Sequence, residues 1–153
     1  MRHAAGFRFA IVVSQYHEDI TAGLLKGARD VLEQAEVSDD DVTLIQVPGA
    51  FELPMGALRA AETGEFDAVI CIGCLIKGDT MHFEYIAAAA SQGIMEVAQV
   101  TGVPVAFGLL TTLTDEQALA RSADDDANKG REAALAAVEM ATLFREFEER
   151  LGE

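Results

Sequence analysis

Nine consecutive uncharged residues, Ala68-Val69-Ile70-Cys71-Ile72-Gly73-Cys74-Leu75-Ile76, constrain this chain more than any other stretch. The run is apolar on both alternating faces, which fits a strand covered on both sides and hence the interior of a parallel sheet. Gly78-Asp79-Thr80 then read as a turn, and a helical pattern begins around Met81-His82-Phe83-Glu84-Tyr85. A strand running through such a turn into a helix presents free backbone N–H groups and the positive end of a helix dipole beyond the sheet edge. Asp79 and Thr80 are either caps that start the helix or part of an anion site, and residue type does not choose between these. His82 adds a group able to exchange protons with a bound substrate near neutral pH.

The rest of the chain repeats this strand-then-helix unit. Phe7–Val13 is a strand, and Ile20, Leu24, Ala28, Val31 and Ala35 recur at helical spacing behind it. Val42–Val47 is a second strand that stops at Pro48-Gly49, and Pro54 fits the first turn of the helix that follows. After the third strand, Ile86, Ala90, Ile94 and Val97 mark a helix that ends at Gly102, with Pro104 just beyond. Val103–Leu110 is a fourth strand, and Thr114-Asp115-Glu116-Gln117 is a capping box opening a short helix. Asp124-Asp125-Asp126 separates that helix from a final one carrying Ala134, Ala137, Ala141, Phe144 and Leu151. The order βαβαβαβαα predicts an α/β fold: a three-layer αβα sandwich with a four-stranded, mainly parallel sheet. With 153 residues and no long linker, residues 1–153 are expected to form a single domain.

A net charge of −15 argues against a nucleic-acid binder, which needs clustered Lys and Arg. No apolar run approaches the roughly 18–20 residues of a membrane span, and no signal-peptide core opens the chain. The two cysteines, Cys71 and Cys74, lie three apart in one strand and so face opposite ways, which disfavours a disulfide or a shared metal. They read as buried residues of a cytoplasmic protein. Three scattered histidines without spaced carboxylates make a metal site improbable, and no metal or cofactor is expected.

In a parallel sheet, ligands bind beyond the carboxyl ends of the strands. That edge collects Tyr16, Ala50-Phe51-Glu52, Cys74 through His82 and Thr111-Thr112. Tyr16, at the end of the first strand, offers a face for stacking a planar ring or caps the sheet edge. Glu52 can accept from a polyhydroxylated ligand, or it favours the helix dipole, the more economical reading. Periodicity alone makes Phe107 core. Arg121 suits a phosphate, or pairs with Asp124–Asp126.

Four segments together resemble the 6,7-dimethyl-8-ribityllumazine synthase family. They are Val47-Pro48-Gly49-Ala50-Phe51-Glu52-Leu53-Pro54, Gly78 through Tyr85, Phe107-Gly108-Leu109-Leu110-Thr111-Thr112, and Asn128-Lys129-Gly130. They fall in the family's order and spacing from about Phe7 to Phe144. The resemblance implies condensation of 5-amino-6-ribitylaminouracil with 3,4-dihydroxy-2-butanone 4-phosphate, releasing phosphate and water, in riboflavin biosynthesis. It implies that Tyr16 and Phe107 contact the pyrimidine ring and that Ala50, Phe51 and Glu52 hold the ribityl chain. Cys74, Leu75 and Ile76 would bind the pyrimidine edge, His82 would move protons, and Asp79, Thr80, Arg121 and Lys129 would hold the phosphate. It further implies a homopentamer or a multiple of it with sites at subunit interfaces, and riboflavin synthase as a candidate partner. Tyr16-His17 stands where the family commonly has Phe-Asn, Lys77 replaces a frequent Arg, and Asp124–Asp126 replaces a stretch richer in Gly and Lys. A flavin-precursor binder without turnover, or a purely structural cage subunit, would share the fold.

Overall fold

The nine-residue apolar run is an inner strand of a four-stranded sheet, as its two apolar faces require. The computed structural model describes residues 2–152. In chain order the main elements are β1 (Phe9–Ser14), α1 (Glu18–Gln34), β2 (Val42–Val47), α2 (Leu53–Glu62) and β3 (Ala68–Ile76). They continue with α3 (His82–Thr101), β4 (Val105–Thr112), α4 (Asp115–Ser122) and α5 (Lys129–Leu151). The strand order is β2-β1-β3-β4, and every ladder is parallel.

Each face of the sheet is packed by its own helices. Ile11, Val13, Ile70, Ile72 and Leu110 meet Leu24 and Val31 of α1 and Ala134, Ala137 and Val138 of α5. On the opposite face Ala10, Val12, Val69, Cys71 and Leu109 meet Leu53 and Ala57 of α2 and Ala90 and Ile94 of α3. Burial of each large aliphatic side chain here contributes about 1.5–3 kcal/mol, so both layers hold the sheet. Cys71 and Cys74 fall in opposite layers and are both free thiols, as their spacing demands.

Sequence and structure differ at the strand ends. β1 and β4 each begin two residues later than expected and run one or two residues further. Phe7 is drawn out of the strand beneath Arg145, whose guanidinium carbon stands 3.5 Å from its ring centroid. Pro104 lies outside β4 but its carbonyl accepts from the Val69 amide at 2.9 Å, fixing where β4 joins β3. Helix ends follow their signals: Gly102 takes the left-handed conformation at φ 74 after α3. Thr114 Oγ1 accepts from the Gln117 amide at 3.1 Å, while Gln117 Oε1 reaches back to the Leu113 amide at 2.8 Å.

The topology leaves β2 and β4 as edges. β4 lies beside exposed Met95, Met140 and Phe144, which line an apolar hollow of about 270 Å³ with Val103 and Pro104. Among the described residues no helix is long and apolar enough to cross a membrane.

Candidate functional site

Beyond the carboxyl end of β1 the chain enters a tight bend. The Gln15 amide donates to Val47 O at 3.0 Å, tying the bend to β2, and His17 turns the chain into α1 through a left-handed conformation at φ 59. Tyr16, two residues past the strand rather than at its end, is 70% exposed. Its ring leans over Gly49. A Cβ at Gly49 would lie 3.2 Å from Tyr16 Cδ2 and 3.3 Å from Glu52 Oε1, so the missing side chain lets an aromatic ring and a carboxylate share one patch of backbone. Gly49 is the site residue that reasoning by residue type passes over, although the Pro48-Gly49 pair ahead of Ala50-Phe51-Glu52 carries the signal.

Ala50–Glu52 form a single 3₁₀ turn, closed by the Glu52 amide donating to Gly49 O at 3.2 Å. Ala50 is buried beneath it and Phe51 is exposed. Glu52 occupies the N-cap position of α2, yet its side chain caps nothing. Its carboxylate turns back over Gly49 beside Tyr16 while the residue stays at the start of α2, where a negative charge also favours the helix dipole.

At the end of β3 the Cys74 side chain is buried toward α1 and α5, leaving only its backbone to face the edge. Burial, aided by Asp19 and Asp115, pushes the Cys74 thiol up to about 11, and burial alone pushes that of Cys71 up to about 12. Neither is a thiolate nucleophile near neutral pH. Leu75 and Ile76 are half-buried at the rim. The Lys77 amide donates to Thr112 O at 2.9 Å, so the following turn leaves the sheet beside the end of β4.

In that turn the expected caps do not cap in the expected way. Met81 holds the N-cap position of α3 without a side-chain bond, and Asp79 makes no side-chain hydrogen bond among the described residues. Thr80 Oγ1 accepts from the His82 amide at 3.3 Å. The turn is short, and its polar side chains stay exposed together with His82. Lys77 Nζ and Glu84 Oε1, 3.3 Å apart, bracket it on either side. The Glu84 carboxyl is held below the usual range, first by its own backbone amide and then by Lys77.

A further group lies on the outer side of β4. Phe107, Thr111, Thr112, Arg121 and Lys129 line a shallow cavity of about 280 Å³, with Glu132 at its rim. Phe107 is not core: on an edge strand it is 48% exposed. Arg121 does not pair with the aspartate run. Its Nη1 donates to Gln117 O at 3.1 Å, and among the described residues no carboxylate lies within salt-bridge distance. Asp124 instead meets Lys26 of α1 at 3.3 Å. Lys129 Nζ lies 2.8 Å from Glu132 Oε2.

The chain therefore carries three groups of candidate residues. Tyr16, Gly49 and Glu52 gather over β1 and β2, the Asp79–His82 turn rises from β3, and Phe107, Arg121 and Lys129 flank β4. Phe107 is level with Cys71, and Tyr16 continues a strand whose Val13 is level with Ile72. Two interstrand spacings and about four residues of rise set their backbones roughly 16 Å apart. Tyr16 moreover leans toward Gly49, away from β4.

A family model described as 6,7-dimethyl-8-ribityllumazine synthase matches residues 6–145. The chain is 49% identical over 143 residues to the 6,7-dimethyl-8-ribityllumazine synthase of Salinibacter ruber, covering 94% of this chain and 92% of that protein. It is 51% identical over 144 residues to 6,7-dimethyl-8-ribityllumazine synthase 1 of Caulobacter vibrioides, covering 93% of each.

Proposed function

This chain belongs to the 6,7-dimethyl-8-ribityllumazine synthase family, and from that premise we infer how its own residues carry out the family's reaction. It is a transferase of riboflavin biosynthesis. It joins 5-amino-6-ribitylaminouracil to 3,4-dihydroxy-2-butanone 4-phosphate, giving 6,7-dimethyl-8-ribityllumazine with release of phosphate and water. An aromatic amine condenses with a ketone, phosphate departs from the neighbouring carbon, and the ring closes. Such chemistry asks for two reactants held together, protons moved on demand, and an anionic leaving group held in place.

Tyr16 and Phe107 take the two faces of the pyrimidine. Glu52, beside Tyr16 over Gly49, accepts from the ribityl hydroxyls together with the backbone around Ala50 and Phe51. The strand end Cys74-Leu75-Ile76 offers its backbone to the pyrimidine edge. His82 takes and returns the protons of condensation and ring closure, and Thr80, Arg121 and Lys129 hold the phosphate. Asp79 lies in the same turn as Thr80 and is read with it as part of the phosphate site.

The observation that carries this reading is the separation of Tyr16 from Phe107 within one chain. Tyr16 leans over Gly49 on the β2 side, while Phe107 is exposed on β4 at the opposite edge of the sheet, so the two rings do not face each other within one chain. The site is then completed by a second copy, whose β4 edge brings Phe107, Arg121 and Lys129 to the first copy's Tyr16 and His82. The exposed edge strand and the apolar hollow of Met95, Met140 and Phe144 support association at that edge. The head-to-tail arrangement so implied closes into a ring. We propose the homopentamer, or a multiple of it, working in the cytoplasm with riboflavin synthase as the consumer of its product. Mixing purified protein with both substrates and following the coloured, fluorescent lumazine tests the activity. Pyrimidine binding without product would favour a binder on the same scaffold.

A further inference from the structure

The loop between α4 and α5 is held by one buried amide. Asn128 is 2% exposed, and its Nδ2 lies 3.0 Å from Gly23 O, 3.2 Å from Ser122 O and 2.9 Å from Ala123 O. Its Oδ1 accepts from the Arg131 amide at 3.0 Å and so caps α5. Two N–H groups thus serve three carbonyls, one of them on α1 and two at the end of α4. Space for this comes from glycines. A Cβ on Gly27 of α1 would lie 2.6 Å from Asn128 Cγ and 2.9 Å from its Nδ2, and one on Gly130 would run into the Leu24 carbonyl.

The two proposed phosphate cations flank this knot. Arg121 is the residue before Ser122, and Lys129 is the residue after Asn128. Neither side chain is fixed by much else among the described residues: Arg121 bonds to a carbonyl of its own helix, and Lys129 to an exposed glutamate three residues on. Their mutual placement comes from the backbone, and that backbone is tied by Asn128. We infer that Asn128 is a positioning residue of the phosphate pocket, setting the separation of Arg121 and Lys129 without touching substrate. The inference rests on the phosphate assignment made above and deepens it.

Asn128→Ser keeps an oxygen able to cap α5 but removes both N–H donors, and Asn128→Asp keeps the shape and the cap oxygen. Steady-state kinetics of the full chain, varying each substrate in turn, reads the effect. The KM for the phosphorylated ketone should rise about tenfold, the scale of one lost charge-assisted contact. The KM for the pyrimidine should stay within about twofold, and inhibition by inorganic phosphate should weaken by the same factor as the ketone KM. Gly27→Ala, on a helix that supplies no site residue, should reproduce the pattern by displacing the amide. Parallel increases for both substrates, or unchanged inhibition by phosphate, would overturn the inference. If the wild type formed no lumazine, the functional reading itself would fail. Titration of inorganic phosphate into wild type and the variants would still decide this point, equal affinities going against it.

Discussion

Phe107 sits opposite Cys71 in the β3–β4 ladder, yet Cys71 is wholly buried and Phe107 is half exposed. The pair marks the step from an inner strand to an edge. One strand spacing, about 4.8 Å, turns the same kind of apolar position from core into available surface. A phenylalanine left there is explained by contact with something outside the chain, and the proposed site supplies it: the pyrimidine held by a neighbouring copy.

His82→Ala should lower turnover by roughly 10–1000-fold and leave pyrimidine affinity nearly intact, because a proton shuttle acts mainly in transition states. The side chain is exposed, so removing it should disturb packing little. Pre-steady-state product formation beside equilibrium titration of the pyrimidine separates the two quantities. Wild-type turnover would reduce His82 to a residue that merely begins α3.

Arg121→Ala should raise the KM for the phosphorylated ketone well above any change for the pyrimidine, since the guanidinium is proposed to meet only the phosphate. Inorganic phosphate should compete with that substrate in the wild type. The structure sharpens this test, because Arg121 has no ion pair with Asp124–Asp126 whose loss would disturb both substrates alike. Equal effects on the two would contradict the assignment.

The thiols make a prediction about pH. Both are raised from the ordinary cysteine value, Cys71 to about 12 and Cys74 to about 11, chiefly by burial. The fold favours their neutral form, so their contribution to stability is complete below about pH 8.5, the unfolded value. It is lost as pH rises through the two folded values. Near neutral pH a thiol-specific reagent should label neither cysteine in the native protein and both after unfolding in guanidinium. Rapid labelling of the native protein would mean that the inner strand opens readily.

Much of this fold was legible in the sequence because it depends on local signals. The run Ala68–Ile76, the stop at Gly102 and the Thr114–Gln117 box each state their structure within a few residues. What was not legible depends on strand order. Val42–Val47 and Val103–Leu110 read simply as two further strands, and only the topology β2-β1-β3-β4 makes them edges that expose Leu44 and Phe107. The partner of Asp124 is Lys26, 98 residues away, and no spacing could have diverted it from Arg121. The ties made by Asn128 likewise require the close approach of α1 that Gly23 and Gly27 allow. Among the site residues, Glu52 reads by type alone as favouring the helix dipole, and only the fold shows its carboxylate beside Tyr16 in the space that Gly49 leaves open.

The central claim is that a working site needs two copies, and mixed assemblies test it most directly. A His82→Ala protein lacks one half-site, and a Phe107→Ala, Arg121→Ala protein lacks the other. Co-refolded in equal amounts, they should pair intact halves at roughly a quarter of the interfaces of a head-to-tail ring. Lumazine formation should then recover to about a quarter of the wild-type rate, with each mutant alone far below it. A mixture no more active than the average of the two mutants would contradict the claim and place the whole site within one chain.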